Sequence, residues 1–196
     1  MDLKQRSLQL ILTAYGTEGT RQVLSEFVCE ANLEVQDFIR NKAIDHEKRR
    51  LAKTMLIFDK DANMQLVGFY SITTKSLEIN KNLNTTQKKH FFGTSQTSGD
   101  TIPSILIGQL GKNEAVRSDF TGTNLMELIF SYIYMADKYL PSVVTYVEHD
   151  GRQSLIDYYE KNGFMYYQRK EEEKNKHLFC HLIRTQRIID MLDMEE

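Results

Sequence analysis

The chain has 196 residues, with 25 Lys and Arg against 27 Asp and Glu, for a formal net charge of -2. That is enough for one domain of ordinary size with a buried core and too little for two full catalytic domains and a linker. A hydrophobic fraction of 41% and a charged fraction of 27% sit near globular averages and indicate neither wholesale disorder nor a membrane protein. The near balance of charge supplies no global field that would select nucleic acid or an anionic membrane as partner.

The N-terminus holds only a short apolar stretch, Leu8 and Leu10 to Leu12, shorter than a signal-peptide core. No run approaches the roughly 18 to 20 apolar residues of a membrane-spanning helix. The two cysteines, Cys29 and Cys180, lack CxxC or Cys/His spacing, so the sequence implies no metal site. They read as reduced core thiols of a cytoplasmic protein.

Residues 18 to 51 carry apolar residues near helical spacing (Leu24, Phe27, Val28, then Leu33, Val35, Phe38 and Ile39), interrupted at Cys29 to Asn32. Two tandem helices are expected. The second ends in HEKRRLAK, cations placed where the helix dipole favours them. Thr54 to Phe58 and Gln65 to Ile72, joined by the turn-rich DKDAN, predict a β-hairpin. Residues 80 to 101 are polar and amide-rich, and read as a long surface excursion, a length at which loops tend to be functional or mobile.

Ile102 to Leu110 is a dense apolar run with Pro103 at its start, the pattern of a central strand. An amphipathic helix follows from about Gly122 to Tyr139 with Leu125, Leu128, Ile129, Tyr132 and Ile133 as its stripe. Ser142 to Glu148 reads as a strand and Arg152 to Asn162 as a short helix closed by Gly163. Strands are expected at 164–168 and 177–183, with RKEEEKNK as an exposed connection. The order predicts an α+β or α/β fold with a mixed sheet and no internal repeat.

The strand-turn-helix unit from Ile105 to Ile133 is the natural anion site, because a helix start exposes unpaired amides and partial positive charge. Its turn is RSDFTGTN, and Gly122 would let backbone approach a phosphate. GxxxxGK[ST] and GxGxxG are both absent, which removes a P-loop and a dinucleotide fingerprint.

Read in order, IPSILIGQLGKN, the Gly122 turn, its helix, VVTYVEHD and SLIDYYEKNGF resemble the core of the GNAT superfamily of N-acetyltransferases. The closing Tyr158-Tyr159-Glu160-Lys161-Asn162-Gly163-Phe164 is similar to that family's [FY]YE+xGF signature. The strong likeness covers about residues 102 to 168. A weaker one, over about 27 to 79, resembles a bacterial branch that includes acetyltransferase toxins of toxin–antitoxin pairs, which act on charged tRNA.

The resemblance implies a single GNAT domain over 1–196: a helical part and hairpin to residue 79, the loop 80–101, an acetyl-CoA core at 102–168 and C-terminal strands from 169. It implies acetyl-CoA as cofactor, held by Leu110, Gly111 and Lys112 on the strand and by Thr121, Gly122, Thr123 and Asn124 at the turn. Tyr159 matches the catalytic acid, with Tyr158 facing the core. For the base, Glu148 at the end of the preceding strand, the neighbouring His149 and a water chain all stay open. An amine substrate, charged tRNA, an antitoxin protein and a second copy of the chain all remain open as partners.

The turn departs from the family pattern Gln/Arg-x-x-Gly-x-Gly/Ala. The residues here are Asp119-Phe-Thr-Gly122-Thr-Asn124, which keep one glycine and put an acid first, so a non-catalytic binding module is the rival reading. The basic residues Lys42, Lys48, Arg49, Arg50 and Lys53, with Lys88, Lys89 and His90, are the candidate RNA-facing patch. A solvated face is the plainer account of them.

Overall fold

A computed structural model describes residues 1–97, 99–171 and 177–194. Its elements, in order, are β1 (Leu3–Ser7), α1 (Leu8–Ser25), α2 (Leu33–Asp37), a π-helical turn (Phe38–Lys42), α3 (Ala43–Lys48), β2 (Lys53–Asp59), β3 (Gln65–Thr74) and β4 (Leu77–Glu78). They continue with α4 (Thr85–Phe92), β5 (Thr101–Ile102), β6 (Ser104–Lys112), α5 (Gly122–Asp137), β7 (Val144–His149), α6 (Gln153–Lys161), β8 (Met165–Glu171), β9 (His177–Arg184) and α7 (Thr185–Asp193). The chain forms two compact units. One comprises Met1–Thr73 and Gly108–Glu127, the other Thr74–Ile107 and Leu128–Glu196.

In the first unit β1 and β3 both pair antiparallel with β2. The expected hairpin is present, with one irregularity. Ile57 pairs with Gly68 and Phe58 with Leu66, so Val67 is an extra residue, a β-bulge. The carbonyl of Val67 accepts from the Asn113 amide at 2.8 Å, which binds the bulge to the end of β6. The helices cover this sheet through Leu24, Phe27, Val35, Phe38 and Ile39 packed on Leu56 and Phe69.

In the second unit the sheet is mixed. Ser104 to Ile107 of β6 run parallel to Val144 to Val147 of β7, while β9 pairs antiparallel with both β7 and β8. Strand alternation divides β7 between two faces. Val144, Tyr146 and Glu148 point one way, and Thr145, Val147 and His149 the other. The first face packs with Leu77, Ile79, Phe92, Ile102, Cys180 and Leu182 in one apolar cluster.

Several expectations need correction. The segment before residue 18 is not a bare apolar stretch: β1 is followed directly by α1, with Ser7 as N-cap accepting from the Leu10 amide. Gly16, at φ 66 and ψ -177, breaks that helix in its middle. The region 80–101 is not an open loop. It contains α4, whose start is a capping box between Asn84 and Gln87 and whose end is Gly93 at φ 74. Tyr167 fastens the same region, its hydroxyl accepting from Asn80 N at 2.8 Å and donating to Glu78 O at 3.1 Å. After β9 the chain turns helical again in α7, where only strands were expected. Cys29 and Cys180 are buried thiols that form no disulfide. The connection RKEEEKNK reaches into residues 172–176, which lie outside the described residues. Among the described residues no helix is long and apolar enough to cross a membrane.

Candidate active site

The seven residues expected at the cofactor all lie in the first unit, and Glu148 and Tyr159 lie in the second. The parallel ladder stops at Ile107↔Val147. Beyond it β6 continues through Lys112 and β7 through His149.

Gly111 is a glycine for packing reasons. A Cβ there would stand 2.7 Å from Val35 Cγ1 and 3.2 Å from Phe27 Cζ, so one side of the strand is filled by the helical layer. Leu110 and Gly111 are half-buried and Lys112 is exposed. Their contribution to a ligand is therefore the backbone, which needs no particular side chain.

The turn before α5 is built from the inside out. Phe120 is fully buried and lies over the bare backbone of Gly68, where a Cβ would meet its Cε1 at 2.6 Å. The buried Asp59 carboxylate accepts from Ser118 Oγ at 2.6 Å, and Ser118 Oγ in turn accepts from the Phe120 amide at 3.2 Å. Thr121 and Asn124 then cap α5 reciprocally. Thr121 N donates to Asn124 Oδ1 at 3.1 Å, and Asn124 N donates to Thr121 Oγ1 at 3.3 Å.

This arrangement fits an anion less generously than four open amides would, because the chain itself engages those of Thr121 and Asn124. It fits in charge. The first turn of α5 carries no acid, and Asp119 is exposed, its charge felt by the Met1 ammonium. The positive end of the helix dipole is uncompensated by any carboxylate of its own first turn.

In the second unit the YYEKNGF segment forms the last turn of α6 and its exit. Gly163 at φ 84 ends the helix, and the Phe164 amide returns to Tyr159 O at 3.0 Å, the geometry of a left-handed cap. Phe164 thereby packs on Tyr159 with ring centroids 5.7 Å apart. The expected orientation of the tyrosine pair is reversed: Tyr159 is 5% exposed and Tyr158 is only half-buried. Burial pushes the Tyr159 hydroxyl well above the usual tyrosine range, with Tyr158 and Asp150 adding to it. The residue is fully protonated at neutral pH, as a proton donor must be.

Glu148 and His149, adjacent in sequence, point to opposite faces of the sheet. Glu148 pairs in register with Cys180 and lies on the Tyr146 face, where its charge adds to the burial that raises Tyr146. His149 lies with Tyr159, the ring centroids 5.2 Å apart at 34°. It is not a poised base, because burial, then His181, hold it down at about 4.

Sequence reasoning missed two residues. His181 on β9 has its Nδ1 3.0 Å from His149 Nε2. Asn113, just past β6, accepts from Val28 N and Ala115 N and donates to Leu66 O and Glu26 O. Glu114 extends that tie, its carboxylate accepting from Glu30 N at 2.7 Å. The basic run offers little free charge, since Lys42, Arg49 and Lys53 are bridged to Asp37, Asp45 and Glu47, and Lys48 donates to Thr17.

No family model matches the sequence, and no curated protein matches it. Solved structures do match. AtaT complexed with acetyl-methionyl-tRNAfMet superposes with a TM-score of 0.69 at 16% identity, covering 97% of this chain and 99% of that one. The fold is shared with the AtaT toxin. A tyrosine-to-phenylalanine mutant of KacT gives a TM-score of 0.70 at 16% identity, covering 97% of this chain and 99% of that one. A structure described only as a bacterial toxin gives 0.68 at 17%, covering 87% of each chain. At such identities the likeness establishes the mixed α+β GNAT fold, and chemistry has to be argued from the site.

Proposed function

We propose that this chain is an acetyl-CoA-dependent N-acetyltransferase that acylates a primary amine by direct attack, with Tyr159 as the general acid. The observation that carries this reading is Tyr159 itself. It is a buried, fully protonated phenol held by the Gly163 turn, in a fold shared with AtaT, which has been solved with acetyl-CoA.

When bound, acetyl-CoA supplies the thioester carbonyl that an amine attacks and the thiolate that leaves. Leu110, Gly111 and Lys112 offer strand backbone to pair with an extended ligand, and amides at the end of that strand stabilise a carbonyl oxygen that gains charge. Thr121 to Asn124 place the uncompensated start of α5 against pyrophosphate. Glu148 takes the proton from the attacking amine, from the face of the sheet opposite to Tyr159. Tyr159 Oη gives its proton to the departing sulfur.

The acceptor class is drawn from a second observation. AtaT has been solved with acetyl-methionyl-tRNAfMet and with the C-terminus of the antitoxin AtaR. The α-amine of an aminoacyl-tRNA, with control by an antitoxin, is the substrate reading this favours. The test is a turnover screen with acetyl-CoA across polyamines, amino acids, peptides and charged tRNAs. Acetyl transfer to one class, lost in Tyr159→Phe, is the expected result. Calorimetry that detects no acetyl-CoA binding would leave only the non-catalytic binding module.

A further inference from the structure

His149 and His181 form a buried pair that the reaction above does not use. They are 6% and 1% exposed, and their hydrogen bond joins β7 to β9. The tautomers follow from the partners. The Gly151 amide donates to His149 Nδ1 at 3.1 Å, so that nitrogen carries a lone pair. A neutral imidazole has one proton, which therefore sits on Nε2 and is donated to His181 Nδ1 at 3.0 Å. The proton of His181 is then on its own Nε2. That buried nitrogen has no hydrogen-bond partner among the described residues, and it faces Glu160 Oε1 at 3.9 Å.

Two protons satisfy this chain, and a third does not fit. It must go either to His149 Nδ1, against the Gly151 N–H, or between two nitrogens that already share one hydrogen. Either position breaks a hydrogen bond. Phe179 packs directly on Gly151, where an added Cβ would lie 2.3 Å from its Cε2 and where φ is 79, so the turn that carries this N–H is built for glycine.

The pair is in contact with the proposed acid. The His149 ring packs on Tyr159 at 5.2 Å and on Phe179 at 6.1 Å, and Glu160, which faces His181, is the residue after Tyr159 on α6. The charged and titratable groups around the pair are few. Asp150, held by Arg152, lies on the turn after β7, and Tyr158, Tyr159 and Glu160 lie on α6. On β8, Tyr166 packs 5.6 Å from His181 and Arg169 lies over Phe179.

We propose that the His149–His181 pair is a positioning element for Tyr159: two neutral imidazoles in one fixed tautomer order hold the ring on which Tyr159 packs, and acid releases it. The proposal rests on Tyr159 being the general acid. Both rings are depressed by burial, with Glu160 opposing the effect at His181, so the element stays engaged through the neutral range and disengages in acid.

The test uses the full chain and three variants. His181→Asn keeps an acceptor for His149 Nε2–H, whereas His181→Leu fills the space without one. His149→Phe keeps a ring but no hydrogen bond. For the acetylated amine at about pH 7.5, kcat is expected within about twofold of the parent for His181→Asn and lower by about tenfold for His181→Leu and His149→Phe, with KM for acetyl-CoA little changed. The fall of kcat in acid should also begin at a different pH in His149→Phe. A packing role predicts the opposite order, because leucine suits a buried site better than asparagine.

A second readout needs no substrate. Imidazole nitrogen spectra should show both rings as the Nε2–H tautomer, with the Tyr159 ring signals moving as the pair protonates in acid. The proposal is overturned if His181→Leu retains parental kcat, or if Tyr159 signals ignore the histidine titration. Undiminished turnover in Tyr159→Phe would instead overturn the acid assignment, and the spectra would still judge the pair.

Discussion

Asn113→Ala removes four hydrogen bonds at one stroke. The side chain is 1% exposed. It serves Leu66 O at 2.7 Å, Val28 N at 3.0 Å, Ala115 N at 3.1 Å and Glu26 O at 3.3 Å. Leu66 is buried and Val28 half-buried, whereas Glu26 and Ala115 are exposed and can turn to water. Leu66 O left unpaired in the interior costs about 1 to 2 kcal/mol, half-buried Val28 N about 1 kcal/mol and the two near solvent about 0.5 kcal/mol each, for a loss of about 3 to 4 kcal/mol. Against a total stability of about 5 to 15 kcal/mol, that is a large fraction. Urea unfolding followed by far-UV circular dichroism measures it as a shift in midpoint at unchanged slope. A loss below about 1 kcal/mol would refute the reasoning, because water would then be replacing the side chain at the buried positions too.

Tyr159→Phe should lower kcat by about 10²- to 10⁴-fold, the usual contribution of a general acid, with the thermal midpoint nearly unchanged because the contacts with His149 and Phe164 survive. A stopped assay of acetylated product together with a melting curve reads both. Stability should fall as the pH is lowered from about 6.5 toward 4. Folded His149 is held at about 4, against 6.5 for the unfolded chain, so the unfolded state binds more protons in that window. The full shift corresponds to about 3 kcal/mol and, discounted for solvent near the site, to about 1 to 2 kcal/mol. The difference between parent and His149→Phe in urea midpoints at pH 7 and pH 4.5 isolates it, and equal pH dependence in the two would exclude it. Gly111→Ala should cost about 1 to 3 kcal/mol by forcing Val35 aside, again read by urea titration; an unchanged midpoint would mean that the helical layer yields freely.

The central part of the chain was legible because its signals are strong and local. Ile105 to Leu110 is too apolar for anything but a buried strand, and YYEKNGF couples a helix end to a glycine stop. Two of the elements lost to the sequence reading have low apolar content. β1 reads LKQRS and α4 reads TTQKKHFF. Each is stabilised by what it packs against, not by its own periodicity. The Asn84–Gln87 capping box was nonetheless available as a start signal for α4.

At the site, Tyr159 could be placed by its motif, whereas His181 could not. Its meaning depends on register, which sets Val147 beside it and brings His149 within reach one pleat away. No spacing in one strand shows that. Asn113 was hidden for the same reason, since three of its four partners lie 47 to 87 residues away.

The cap on α5 has a consequence for where the chain places its electric field. Capping boxes commonly use glutamate at the third helical position, where its charge answers the helix dipole and adds stability. Here Asn124 makes the same reciprocal bonds with a neutral amide. The helix start is thus capped by neutral groups, with no acid in its first turn. The chain forgoes a few tenths of a kcal/mol that a carboxylate at that position would have given, and the acid that does approach, Glu127, stands a turn further on and accepts from Asn124 Nδ2 at 3.4 Å.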